Sequence, residues 1–211
     1  MSGFGLKVQL AAAGLGVAML SGGCGLMAPK AERYIAPSAG TSYVLGRRDT
    51  GSYGSANAQV PIKVGRRMWE GSQMTTFEGR ALTLLAHPNG NWGGLYAGDK
   101  PVTTWEPSIG WDWPLEVGKT WSKAYQVTNH AAKRTTPFIF AGKVESYEDV
   151  TVPAGKFKVF KISTTTTQGD ENLSWFSPEL GISVKVSNRR TAKHPAGAGT
   201  REDELISYKR P

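Results

Sequence analysis

Three histidines, His87, His130 and His194, a single cysteine, Cys24, and seven tryptophans are the residues through which this chain could do chemistry. The histidines lie far apart, each beside a turn signal, with no second ligand at the few-residue spacing of a zinc site. They read as surface or loop residues, and no metal or cofactor is expected. A serine nucleophile would want a G-x-S-x-G turn between a strand and a helix, and neither that motif nor an alternating α/β context is present. The carboxylates available for pairing, Glu106 with Asp112 or the run Glu202, Asp203 and Glu204, are of a kind any surface carries. The chain therefore reads as a non-enzyme.

The tryptophans carry more information. WEPSIGWDWPLEVGKTW, residues 105–121, holds four of the seven. Such rings either form a platform that stacks on a sugar or plug a core. Pro114 fixes φ and stops the preceding strand, and Gly118 supplies a turn, so Trp113 and Trp121 are placed to close one end of a curved sheet. With Trp175 from a later strand, they read as core. Trp105 and Trp111 fall in EPSIGWDW, whose proline and glycine predict a loop over the mouth of the sheet. Together with Trp92 they are the candidate ligand-binding residues. A sugar platform would require these three to be coplanar and exposed.

The elements that must position these rings are strands. From residue 42 onward no helical periodicity persists over three turns, whereas β-branched and aromatic runs recur between Gly, Pro and Asn. In QVPIKV, Val60, Ile62 and Val64 share a face and Pro61 suggests an edge strand. Asn89-Gly90 between RALTLLAH and NWGGLYA predicts a tight hairpin. Pro153, Ala154 and Gly155 turn KVESYEDVTV into KFKVFKISTTTT. On that returning strand Phe157 and Val159 have one parity, Phe160 and Ile162 the other, so either a bulge intervenes or both faces are covered. Roughly ten antiparallel strands in a meander, with no crossover helices, predict an all-β domain: a single curved sheet or an incomplete, half barrel.

At 211 residues and a net charge of +8, the chain suits one soluble β-rich domain. Residues 1–23 read as a signal peptide, with Lys7 at its basic end and VQLAAAGLGVAML as an apolar run too short to span a bilayer. LSGGC follows. Leu20, Ser21, Gly22, Gly23 and Cys24 resemble a bacterial lipoprotein signal, in which the cysteine is acylated and becomes the first residue of the mature chain. Cys24 cannot form an internal disulfide, and a free thiol would be a liability outside the cytoplasm. Gly25 in place of the Asp that retains such proteins at the inner membrane implies the outer membrane, facing the periplasm. Residues 24–41, rich in Pro, Gly, Ala and Ser, are expected to be a flexible tether, with the β domain over 42–211.

Three motifs, WPLEVGKTW at 113–121, VTVPAGKF at 150–157 and WFSPELG at 175–181, in this order and with WEG at 69–71 and FEG at 77–79, resemble a family of uncharacterised bacterial envelope lipoproteins. The resemblance implies an antiparallel β half-barrel like the lipoprotein-carrier folds, and brings no established reaction. Basic residues gather at Arg47, Arg48, Lys63, Arg66 and Arg67, and at Arg189, Arg190 and Lys193, as solvated strand faces or as contacts for anionic envelope polymers. An exported protein gives them no use for nucleic acid. Two readings follow: a membrane-anchored module binding an apolar or amphipathic ligand, and an interaction lipoprotein holding a partner protein or the cell wall.

Overall fold

The computed structural model describes residues 29–211; the signal peptide expected over 1–23 and Cys24 lie outside the described residues. Alternation is realised throughout as strand: β1 (Lys30–Ala31), β2 (Ser42–Gly51), β3 (Asn57–Trp69), β4 (Ser72–Glu78), β5 (Thr83–Ala86), β6 (Trp92–Ala97), β7 (Lys100–Ile109), β8 (Leu115–Glu116), β9 (Thr120–Asn129), β10 (Arg134–Val152), β11 (Gly155–Thr166), β12 (Asp170–Ser177), β13 (Ile182–Arg190) and β14 (Gly199–Lys209). All strands but β1 and β8 form a meander that closes into a twelve-stranded antiparallel barrel, and β1 and β8 pair with each other. The half barrel of about ten strands is corrected to a closed one. Its closing seam joins β14 to β2, from Gly199↔Gly51 to Lys209↔Ser42, and so pairs the two edges that an open sheet would leave bare.

The expected hairpins form. β10 and β11 turn at Pro153-Ala154, with Val152 opposite Gly155. β5 and β6 join through residues 87–91, a longer loop than the tight turn expected from Asn89-Gly90, bridged by His87 N–H to the Asn91 carbonyl at 2.8 Å. Pro61 is tolerated because residues 57–62 of β3 pair with β2 alone, while β4 pairs only from Lys63 onward. Of the two expected causes of the parity change on β11, the covered faces are the one found, since Val159 enters one core while Phe160 and Ile162 enter another. β11 itself is regular there; the register shift lies on β10, between Val144 and Ser146.

The first core gathers Leu115, Trp121, Tyr125, Phe138, Phe140, Val144, Phe160, Ile162 and Phe176. The second joins Tyr43, Val64, Leu205 and Val184 to Val152 and Val159 on the long β10–β11 hairpin, whose tip reaches across to β14 with Ala154 N–H on the Leu205 carbonyl at 3.0 Å. A small third core, Met74, Leu85 and Tyr96, sits under Trp69.

Residues 29–41 are not a free tether. β1 pairs with β8, Pro37 and Thr41 are buried, and at the end of the segment Gly40 N–H donates to the Val64 carbonyl while Val64 N–H donates to the Thr41 carbonyl, each at 2.8 Å. The Pro- and Gly-rich composition gave no periodicity to read, yet it suits an extended strap laid over other elements.

Candidate functional site

One end of the barrel collects the strap, the 87–91 loop, the 110–119 segment and the β12–β13 turn. Tyr34 of the strap is the side chain that ties them. Its ring lies 6.1 Å from Trp113 and 6.3 Å from Phe176, and its hydroxyl donates to the Gly181 carbonyl at 3.2 Å. Gly90 is required beneath it, because a Cβ there would stand 2.7 Å from the Tyr34 ring. Burial pushes the Tyr34 phenol well above its ordinary value, so it remains a neutral donor.

Phe176 is the hub of this end. Trp111 meets it edge-on at 4.9 Å and Trp113 at 5.8 Å. Asp112, between these tryptophans, accepts from Lys123 at 2.7 Å and pairs with Lys119 at 3.1 Å, and these two hold its carboxyl below the usual range. The 110–119 segment is thereby fastened into the mouth as a plug. Trp121 lies flat over the β10 backbone at Gly142, where any Cβ would overlap its ring, and its buried indole N–H has no partner in the described residues. Packing rather than hydrogen bonding holds that ring.

The three candidate ligand residues do not form one surface. Trp92 and Trp105 approach at 6.3 Å with their planes 54° apart. Trp111 belongs to the Phe176 cluster instead. A coplanar, exposed triplet is therefore not formed. Trp105 lies within β7, not in a loop, and packs on the first core with Trp111 and Trp113. Trp121 is buried as expected, whereas Trp175 is only half-buried, its N–H on Glu148 at 3.0 Å and the Lys161 and Lys185 ammoniums each 5.5 Å from its ring.

Around the same inner face, toward β14 and β2, the barrel changes character. Register places Val144, Ile162, Ser174, Val186, Asp203 and Arg47 in one row and Gly142, Thr164, Asn172, Asn188, Arg201 and Asp49 in the next. Arg47 grips Asp203 through two bonds of 2.8 Å, and Arg201 grips Asp49 at 2.8 and 2.7 Å. The Arg201 hydrogen bond holds the Asp49 carboxyl below its ordinary value against the opposing effect of burial. Arg190 and Arg201 both lie over the Tyr53 ring, at 3.9 and 4.7 Å. Sequence reading missed this ladder. Its members are 156 and 152 residues apart, and only the β2–β14 register brings them together.

The residues weighed for chemistry are dispersed. His130 meets Thr104 at 2.9 Å and His194 lies 3.6 Å from Asp170. Among the described residues no three His, Cys, Asp or Glu side chains converge as a metal site would need. The carboxylate run on β14 is split by the pleat: Asp203 turns to Arg47, while Glu202 takes Ser187 and Glu204 takes Lys185. The two basic clusters are likewise divided among partners, with Arg67 on Asp99 and over Trp69, and Arg189 on Glu171 at 3.1 Å. A shallow concavity of about 590 Å³ lies on the wall between β9, β10 and β11, lined by Trp121, Lys143 and the hydroxyls of Thr120, Ser122, Ser163, Thr164 and Thr165.

No family model matches the chain. No curated protein matches it either. Among solved structures, the chain is similar to a Parabacteroides distasonis protein described as a lipoprotein, with 11% identity over 84% of this chain and 99% of that one and a TM-score of 0.44. It is also similar to a Bacteroides fragilis protein described as exported and of YmcC-like fold, with 13% identity over 85% of this chain and 100% of that one and a TM-score of 0.45. YmcC of Escherichia coli, described as a hypothetical lipoprotein, gives 13% identity over 84% of this chain and 90% of that one, with a TM-score of 0.43.

Proposed function

We infer that this protein is a lipid-anchored, non-catalytic component of the bacterial envelope, acylated at Cys24 and acting through its outer surfaces on a partner protein or the cell wall. The observation that carries the choice between the two readings is the filled interior. A carrier of an apolar ligand keeps a sizeable, largely apolar cavity. Here the mouth is occupied by Tyr34, Trp111 and Trp113 packed on Phe176, and the inner face of β14 and β2 by paired Arg and Asp side chains. The LSGGC sequence supports the anchor, and Gly25 after it supports the outer membrane facing the periplasm.

Ligand binding stands as a second reading because of the strap. Tyr34 occupies an aromatic slot as a ligand would, and a displaced strap would bare Trp113 and Phe176 to an amphipathic guest.

Two measurements on the full chain, expressed in a bacterium, test these readings. The mature mass gives cleavage before Cys24 and the added acyl groups, and Cys24→Ala should remove both the added mass and membrane retention. Native mass spectrometry of the detergent-released protein then separates the two functions. A clean protein mass that takes up no offered phospholipid upholds the surface-acting protein. A stoichiometric bound lipid overturns it in favour of the carrier.

A further inference from the structure

The outer wall of a barrel is convex, so the concavity of about 590 Å³ on β9, β10 and β11 needs a local cause. Register supplies it. Thr120, Lys143 and Ser163 stand side by side in one outward row across the three strands, and Ser122, Ala141 and Thr165 in the next. Between these rows Trp121, Gly142 and Thr164 belong to the opposite face and form the floor, with Trp121 and Thr164 buried. Ala141 is a small side chain at the centre of the outward grid, and the register shift in β10 between Val144 and Ser146 bends the strand just beyond Lys143. A trough results, continued along the strands by Ala124 and the exposed Ile139. Its charge is offset within it: Lys143 Nζ lies 2.6 Å from Glu145, whose other carboxylate oxygen accepts from Ser163 Oγ at 2.6 Å. The outward faces of β13 and β14 differ, carrying Lys185, Arg189, Glu202 and Glu204.

We propose that this trough holds a polysaccharide strand of the cell wall, whose hydroxyls meet those of Thr120, Ser122, Ser163 and Thr165. The proposal rests on the surface-acting reading above and chooses between its two partners. Composition makes the choice. Serine, alanine and lysine are depleted where proteins meet one another, and serine and threonine rarely carry the binding energy there. The trough is built of these types and offers no aromatic anchor, because the Trp121 ring is turned to the interior over Gly142. A hydroxyl both donates and accepts. A grid of them, about 4.8 Å apart across the strands and about 7 Å apart along them, suits a chain whose own surface is a series of hydroxyls. The open shape suits a polymer lying across it, whereas a small molecule needs a pocket that buries most of its surface. Ile139 gives the apolar face of a sugar ring a place to rest.

The test is co-sedimentation of the full, acylated chain, held in detergent, with purified peptidoglycan sacculi. Retention that persists at about 1 M salt, where the Debye length is about 3 Å, is the expected result, and soluble glycan strands freed of their peptides should compete with it. Thr120→Val with Thr165→Val keeps the shape of the trough and removes two hydroxyls, and Ala141→Gln fills it; each should weaken retention about tenfold. Thr128→Val with Thr135→Val, a bonded pair outside the trough on the same two strands, should leave it unchanged. An unaltered melting temperature reports that the variants fold. No retention, retention abolished by salt, or retention unchanged in the trough variants overturns the proposal. A failure of the freed strands to compete overturns it too, and moves the contact to the peptides. Lipid uptake by native mass spectrometry is read on the same sample: bound lipid sinks the surface-acting reading by itself, while retention on sacculi decides the trough.

Discussion

The two halves of the barrel interior solve the same problem with opposite chemistry. On the β9–β12 side, aromatic rings from these strands, the plug and the strap gather into the first core, with Tyr34, Trp111 and Trp113 on Phe176. On the β13, β14 and β2 side, the inner face is filled by the Arg47–Asp203 and Arg201–Asp49 pairs, with Arg190 and Arg201 over Tyr53. The first half gains from burying apolar area, about 25 cal/mol per Å² removed from water. The second has its charges compensated in pairs, which fixes register more than it adds stability, since desolvation offsets most of the Coulomb attraction. An aromatic contact tolerates sliding, whereas a bidentate Arg–carboxylate pair does not. The ladder across β2 and β14 thus specifies the closing seam.

This contrast can be broken first at Phe176. Phe176→Ala removes the ring on which Tyr34, Trp111 and Trp113 meet and should cost about 3–5 kcal/mol, read as a lowered urea midpoint. A loss under about 1 kcal/mol would mean that the strap and plug are held elsewhere. In the polar half, Asp203→Ala leaves Arg47 unpaired beside buried Asp49. The cost should be about 2 kcal/mol, less than for a fully buried pair because the Arg47 side chain is 25% exposed. The double variant Arg47→Met with Asp203→Leu should recover most of that loss. If it is no better than the single change, the ladder contributes stability and not only register.

Smaller effects sharpen the role of the strap. Tyr34→Phe keeps the ring and loses the bond to Gly181, an expected cost of about 1 kcal/mol. Tyr34→Ala should free the segment itself, so that trypsin cuts faster at Lys30 and Arg33 while the barrel stays resistant. The smallest effect is a pH dependence. Because Arg201 holds Asp49 below its ordinary 3.8, the unfolded state binds more protons there, so this contribution is present above 3.8 and is lost as pH falls through the folded value. Asp49→Asn should flatten the acid limb of stability against pH; an unchanged slope would place the acid sensitivity in other carboxylates.

Some of this was written in the chain at short range. Val60, Ile62 and Val64 announce a strand face, Pro153 to Gly155 a turn, and the mixed parity of Phe157, Val159, Phe160 and Ile162 a strand with two covered sides, since each depends on neighbours within a few residues. The strap was illegible for the complementary reason. Nothing near Tyr34 in sequence tells that a slot between Gly90, Trp113 and Phe176 awaits its ring. Trp92, Trp105 and Trp111 looked alike by composition, and only their different strands and partners separate an exposed rim from a packed cluster.

By itself the sequence determined the class of the protein: alternation with no sustained helical period permits strands alone, and the leader with LSGGC marks an exported, lipid-attached chain as the expectation. Closure was decided by tertiary structure, because an edge strand carries the same alternation whether or not another strand pairs with it. The filling of the interior was decided there as well. Asp203 and Arg47 are ordinary surface residues in sequence, and become a buried pair only when β14 meets β2 in one particular register.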